Sequence, residues 1–192
     1  MAKAIAKTVV SPRAHPLGGR AVKNNAVTLA PADSAHRLAL RAPEASLAAL
    51  SKALGLKLPT APKTSAMNKA GDRVALWLGP DEWLVIDMAG KQPIADCAGV
   101  AALHSAVNVS HRNTAILVEG RGAEAALNSG CPQDLSLAVF PVGACSRTVL
   151  GKIEMVLWRS GPAAFRVECW RSFSAYAFDL LTEGAADAAL VN

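Results

Sequence analysis

Four histidines, four cysteines and a scatter of carboxylates and arginines are the side chains with which this 192-residue chain could do chemistry. His104 and His111 flank the segment Ser105-Ala106-Val107-Asn108-Val109-Ser110. A histidine near a serine suggests a nucleophilic pair, but such a serine must be raised on a Gly-x-Ser-x-Gly turn, and none occurs. Ser110-His111-Arg112-Asn113 reads instead as a turn between two strands. Asp81 and Glu82 form an acidic pair, yet neighbours on a strand point to opposite faces and cannot easily share one substrate atom. Gly120-Arg121-Gly122 lacks the third glycine of a dinucleotide loop, and no Gly-Lys-Ser or Gly-Lys-Thr is present, so nothing holds a nucleotide.

Cys97, Cys131, Cys145 and Cys169 lie far apart, with no Cys-x-x-Cys and no histidine pair at ligand spacing. No metal site is expected. Cys97 and Cys169 fall on apolar positions of a helix and a strand, where a free cysteine acts as a small hydrophobe, and a reduced, cytoplasmic chain is the expectation. Arg147, Arg159, Arg166 and Arg171 are interleaved with strands. Arginine suits carboxylate clamps and interface pairs, the alternative being a solvated face paired with Glu154 and Glu168. No catalytic, cofactor-binding or metal residue is assigned. The candidate interface residues are Trp77, Asp81, Glu82, Trp83, Arg147 and Arg171, with Trp77 and Trp83 equally readable as core.

The elements that position these residues follow from pattern. In Leu76-Trp77-Leu78-Gly79-Pro80-Asp81-Glu82-Trp83-Leu84-Val85-Ile86, two apolar runs meet at a turn. Gly79 tolerates positive φ, Pro80 pre-sets the first corner and Asp81 can cap its own backbone, which predicts a hairpin with strands over 74–78 and 83–88. His36 to Arg41 alternates as a strand, Pro43 opens a helix with leucines at 47, 50 and 54, and Gly55 closes it. Residues 55–73 read as a loop. Pro93 starts a helix facing inward with Ile94, Cys97, Ala98 and Ala101, and 106–110 returns as a strand. The order is β-α-β-β-α-β, a split βαβ unit. A second set follows: a strand over 113–119, a helix over 122–128 stopped by Gly130, a hairpin over 146–158, and a strand over 165–169. Ser172 caps a final helix whose inward face is Phe173, Tyr176, Ala177, Leu180 and Leu181. The expected fold class is α+β, with two split βαβ (ferredoxin-like) halves.

Charge and composition divide the chain. Residues 1–73 hold twelve Lys or Arg against three acids, net +9, whereas 74–192 hold eight against twelve, net −4, together with all nine aromatic residues. Residues 1–34, basic and broken by Pro12, Pro16, Gly18 and Gly19, read as an extended arm preceding a single domain over 35–192. Those breakers do not suit an amphipathic transit peptide. The arm lacks aromatics to stack bases, so no nucleic-acid partner is expected. With 52% hydrophobic and 18% charged residues, the chain has an apolar excess suited to contact with a partner protein. No run of ~20 apolar residues predicts a membrane span.

Five strings carry a resemblance to the sarcosine oxidase gamma-subunit family of the folate-binding aminomethyltransferase-like superfamily. They are Leu78-Gly79-Pro80-Asp81-Glu82-Trp83-Leu84, Gly55-Leu56-Lys57-Leu58-Pro59, Val107-Asn108-Val109-Ser110-His111-Arg112, Arg147-Thr148-Val149-Leu150-Gly151-Lys152-Ile153 and Arg171-Ser172-Phe173-Ser174, spread over roughly 36–183. The resemblance implies a cytoplasmic heterotetramer that oxidatively demethylates sarcosine to glycine, giving hydrogen peroxide and formaldehyde or methylene-tetrahydrofolate. Its alpha, beta and delta subunits would hold NAD and tetrahydrofolate, FAD with FMN, and zinc. Catalytic members of the superfamily place an aspartate in a strand that here resembles Leu150-Gly151-Lys152-Ile153-Glu154-Met155-Val156, which has none. A non-catalytic, bracing subunit is therefore expected. The alternatives are a subunit of an N-methylglutamate dehydrogenase complex and a stand-alone folate-dependent one-carbon protein.

Overall fold

The computed structural model describes residues 15–191. Two antiparallel sheets face each other, and each carries helices on its outer side. The first sheet contains β3 (His36–Arg41), β4 (Ser65–Met67), β5 (Arg73–Gly79), β6 (Glu82–Asp87) and β7 (Ser105–Asn108), in the spatial order β4-β5-β6-β3-β7. The second contains β1 (Val22–Lys23), β2 (Thr28–Pro31), β8 (Asn113–Glu119), β9 (Cys145–Leu150), β10 (Ile153–Gly161) and β11 (Ala164–Trp170), in the order β1-β2-β8-β11-β10-β9. Helices α1 (Leu47–Leu54) and α2 (Pro93–Cys97) cover the first sheet, and α3 (Ala123–Asn128) and α4 (Ser174–Val191) cover the second. The class is α+β, as expected.

Local chemistry explains most boundaries. A short 3-10 turn over Glu44–Ser46 follows Pro43, and α1 buries Leu50 and Leu54. Gly55 ends it in the left-handed region at φ 69°, returning its N–H to the last turn's carbonyls. In the β5–β6 hairpin Gly79 pairs with Glu82 across Pro80-Asp81, with a register irregularity between Trp77 and Gly79. Gly79 does not use positive φ, contrary to expectation; Pro80-Asp81 makes the reversal, and the register irregularity lies just before it.

Other expectations also need correction. The stretch 55–73 is not all loop, because Ser65–Met67 pairs with β5. Helix α2 stops at Cys97, so Ala98 and Ala101 are exposed rather than inward-facing. The final helix begins at Ser174 after a 3-10 turn over Arg171–Phe173, so Ser172 is not its cap. Its buried face is Ala177, Phe178, Leu181, Ala185 and Ala188, while Phe173 and Tyr176 stay exposed. Small residues win that face because α4 packs closely on α3: a side chain at Gly184 would run into Ser129 and the Ala126 carbonyl.

The expected arm, residues 1–34, is in part sheet. Its first fourteen residues lie outside the described residues, but β2 is a working strand of the second sheet, paired along β8 from Thr28↔Glu119 to Pro31↔Ile116. Leu17, Val27 and Leu29 are fully buried in the core beneath α3 and α4. Hydrophobic burial overrides the basic composition that suggested an extended segment.

Candidate functional site

Between the sheets lies a third apolar layer: Val74, Leu76, Leu84 and Ile86 from one side meet Cys145, Val156 and Trp158 from the other. Charge is set into this layer where β3 crosses β11. Arg37 donates to Glu168 through Nε at 2.6 Å and Nη2 at 3.1 Å, and Arg166 Nε donates to the same carboxylate at 2.8 Å. All three residues are at most 5% exposed. Arg166 and Glu168 stand two apart on β11 and so share a face. The trio joins the two sheets through hydrogen bonds that the interior makes costly to leave unpaired.

At one mouth of the cleft, Glu82 and Arg147 form an ion pair linking β6 to β9. The hydrogen bond from Arg147 to Glu82 raises the guanidinium pKa further above its ordinary value. Asp81, the neighbouring acid, points away and accepts from Arg41 at 3.0 and 3.2 Å on the exposed surface. The two carboxylates thus diverge, Asp81 from the turn and Glu82 from the first residue of β6. Glu82, Trp83, Arg147, Glu154, Met155 and Trp170 line a cavity of only about 40 Å³ here.

The structure sorts the remaining candidates. Trp83 is 1% exposed and its Nε1 donates to the Pro59 carbonyl at 2.7 Å, so it is core and presents no surface to a partner. Trp77 is half-buried beside the same cluster, with its indole N–H enclosed and unpartnered. Arg171 is half-buried next to Trp170 and Phe173, whose rings stack at 5.7 Å. The Arg112 guanidinium sits 5.3 Å from the Trp170 ring centre. Arg147, Arg112 and Trp170 therefore gather at one mouth, while Trp77 and Trp83 belong to the core beneath α1 and α2 or pack against it.

The C-terminal arginines do not form a solvated face. Arg159 is fully buried, donating to the carbonyls of Leu135, Phe140 and Pro162 and pairing with Glu124, which fastens the 132–143 loop to the sheet. Glu154 is exposed and makes no ion pair with Arg159 or Arg166 among the described contacts. Sequence reasoning missed the trio on Arg37. The available signal was spacing: Arg37 alternates with Leu38 and Leu40, and Arg166 and Glu168 straddle buried Val167.

All four cysteines are free and buried. Burial pushes the Cys145 and Cys169 thiols up to about 12. They are inert packing groups at neutral pH. Among the described residues no group of His, Cys, Asp or Glu could hold a metal ion, and no helix is long and apolar enough to cross a membrane.

Comparison with known proteins gives a consistent result. The model of the "Sarcosine oxidase, gamma subunit family" matches residues 40–187. The sarcosine oxidase subunit gamma of Corynebacterium sp. strain U-96 is 31% identical over 166 residues, covering 84% of this chain and 80% of that protein. Its counterpart in an Arthrobacter species is 35% identical over 124 residues, 62% of this chain and 60% of the relative. Among solved structures, a chain of the heterotetrameric sarcosine oxidase from Corynebacterium sp. U-96 superposes with a TM-score of 0.81 at 28% identity over 88% of both chains. The aminomethyltransferase T of the glycine cleavage system from Bartonella henselae shares the fold alone, at 13% identity and a TM-score of 0.60 over 81% of this chain and 45% of that one.

Proposed function

This chain belongs to the sarcosine oxidase gamma subunit family, and we propose that it serves as the non-catalytic, bracing subunit of a heterotetrameric sarcosine oxidase. The observation that carries this reading is the superposition over 88% of both chains with a chain of such an enzyme. The site geometry supports it. The acids that sequence offered for chemistry are engaged in ion pairs, the thiols are buried and protonated, and the cavity beside Glu154 and Met155 holds about 40 Å³. That is far below the ~300 Å³ at which ligand pockets begin.

Flavin oxidation of an N-methyl amine belongs to the cofactor and the chain that holds it, so FAD, FMN, NAD, tetrahydrofolate and zinc are assigned to the alpha, beta and delta partners. A cytoplasmic location belongs to the same reading. Contact with those partners falls to the mouth ringed by Glu82, Arg147, Arg112 and Trp170, with Arg171 beside it, where a stacked aromatic pair and paired charges stand at the surface. Aromatic and arginine anchors of this kind dominate interface energetics. The basic residues before residue 15 are assigned to contact as well.

The finer fold reading is that each half is a split βαβ unit. The strand order β7-β3-β6-β5 supports it in the first half. In the second, β2-β8-β11-β10 has the same arrangement, with the closing strand supplied from the N-terminal side of the chain and β9 added at the edge.

The test is purification of the affinity-tagged chain from its native host. Co-purification of larger, yellow, flavin-containing partners with sarcosine-dependent peroxide production is expected. A colourless chain isolated alone would overturn the assignment.

A further inference from the structure

Opposite the filled mouth, the cleft between the sheets opens into a cavity of about 340 Å³. Register builds one wall. Arg166 on β11 stands opposite Leu117 on β8 and Trp158 on β10, so these three form a row across the sheet, and all three line the cavity. Met67, at the end of β4, and Met88, just beyond β6, line it from the other sheet. The result is a space of ligand size, apolar on most sides, with a planar indole, two adaptable thioethers and one guanidinium.

The guanidinium is incompletely satisfied. Arg166 spends Nε on Glu168, but Glu168 already receives two hydrogen bonds from Arg37, so two buried cations share one carboxylate. Arg166 Nη2 is buried and has no hydrogen-bond partner. Two cations on one carboxylate leave positive charge uncompensated at the cavity wall, and an ionised oxygen is the group that best balances it. Asp33, the other charged residue lining the cavity, is exposed at the rim and disfavours ligands with a second negative charge.

We infer that this cavity binds a small soluble monocarboxylate with a compact apolar body. The carboxylate pairs with the Arg166 guanidinium at the cavity wall, and the body lies among Trp158, Leu117, Met67 and Met88. This site is separate from the filled mouth assigned to partner contact, and its argument does not depend on the subunit assignment.

Sodium benzoate is the probe, with benzamide as its uncharged match, each titrated calorimetrically into the full chain at equal ionic strength. Saturable benzoate binding is expected, with benzamide weaker by ~10-fold or more, as for loss of a hydrogen bond to a charged group. Arg166→Met should abolish that preference. Leu117→Trp, which fills the cavity and leaves the Arg37–Glu168–Arg166 trio intact, should abolish binding of both compounds and keeps the test decisive if Arg166→Met fails to fold. Absence of saturable benzoate binding to the wild-type chain, equal affinities for the two compounds, or a preference that survives in Arg166→Met would overturn the inference. Repeating the benzoate titration on the chain purified with its partners separates sources of the carboxylate. Retained binding supports a soluble ligand; loss of binding there would show that a partner's own carboxylate takes the place, contradicting the small-molecule reading.

Discussion

The two halves of the molecule arrive at matching strand orders by different routes. The first half is continuous in sequence and closes its sheet with β7, a thin edge strand whose Val107 is 53% exposed. The second half takes its closing strand from residues 28–31, some eighty residues ahead of the strand it pairs with, and buries Leu29 completely. The difference teaches that strand order and energetic weight are separable: one closing strand is trim, the other carries core.

Removing residues 1–31 should therefore have the largest effect. It takes Leu17, Val27 and Leu29 out of the core and leaves β8 as a bare edge, a loss of roughly 5–8 kcal/mol from side-chain burial alone. Chemical denaturation should show the second half without a cooperative transition. Val107→Thr on β7 should change stability by no more than ~0.5 kcal/mol. Comparable losses for the two changes would break the comparison.

Next in size is the tie between the halves. Glu168→Ala leaves Arg37 and Arg166 buried without their shared carboxylate and should cost ~3–5 kcal/mol, read as a lower denaturation midpoint. A cost under ~1 kcal/mol would mean that the sheets are held by their apolar layer alone.

Two of the positive-φ glycines sharpen the contrast further. Gly55 ends α1 in open space, so Gly55→Ala should cost only about 1 kcal/mol from backbone strain. Gly151, at φ 57° in the β9–β10 hairpin, faces the Tyr176 hydroxyl and Leu180 of α4, so Gly151→Ala adds a clash to the same strain and should cost more, ~2–3 kcal/mol. Thermal melts of the two variants compare them directly.

The smallest effect at neutral pH comes from the thiols of the second sheet. Cys145 and Cys169 have folded-state pKa values raised by burial to about 12, against about 9.0 for an ordinary thiol. The unfolded chain therefore releases these protons first, so their contribution to stability is whole below pH 9 and is lost as pH rises toward 12. Stability measured from pH 8 to pH 11 should decline progressively, and native chain at pH 8 should resist thiol alkylation. Rapid alkylation of either cysteine in the folded chain would contradict this burial.

The first half was the more legible in sequence because its signals are local. Pro43 and Gly55 bracket α1, Gly79-Pro80-Asp81 marks the hairpin, and alternation over 36–41 marks the central strand. The second half hides its closing strand in a stretch whose lysines, arginines, prolines and glycines resemble an arm, because burial of Val27 and Leu29 depends on β8 and α4, which local pattern does not contain. The α4 face was misjudged for the same reason: Phe173 and Tyr176 have helical spacing, but the approach of α3 selects alanine and glycine instead. At the site, Glu82 and Arg147 were recognisable as charged surface groups, whereas the Arg37–Glu168 pair joins residues 131 apart and emerges only from the facing of two sheets.

We propose that this chain braces a flavin enzyme without taking part in its chemistry. The most direct measurement is sarcosine-dependent peroxide production per mole of flavin in complexes assembled with the wild-type chain or with one carrying Glu82→Ala and Arg147→Ala. Unchanged turnover per flavin is expected, with less complex recovered and faster thermal inactivation. Turnover per flavin that falls tenfold or more in fully assembled complex would contradict it, placing this chain's residues in the reaction itself.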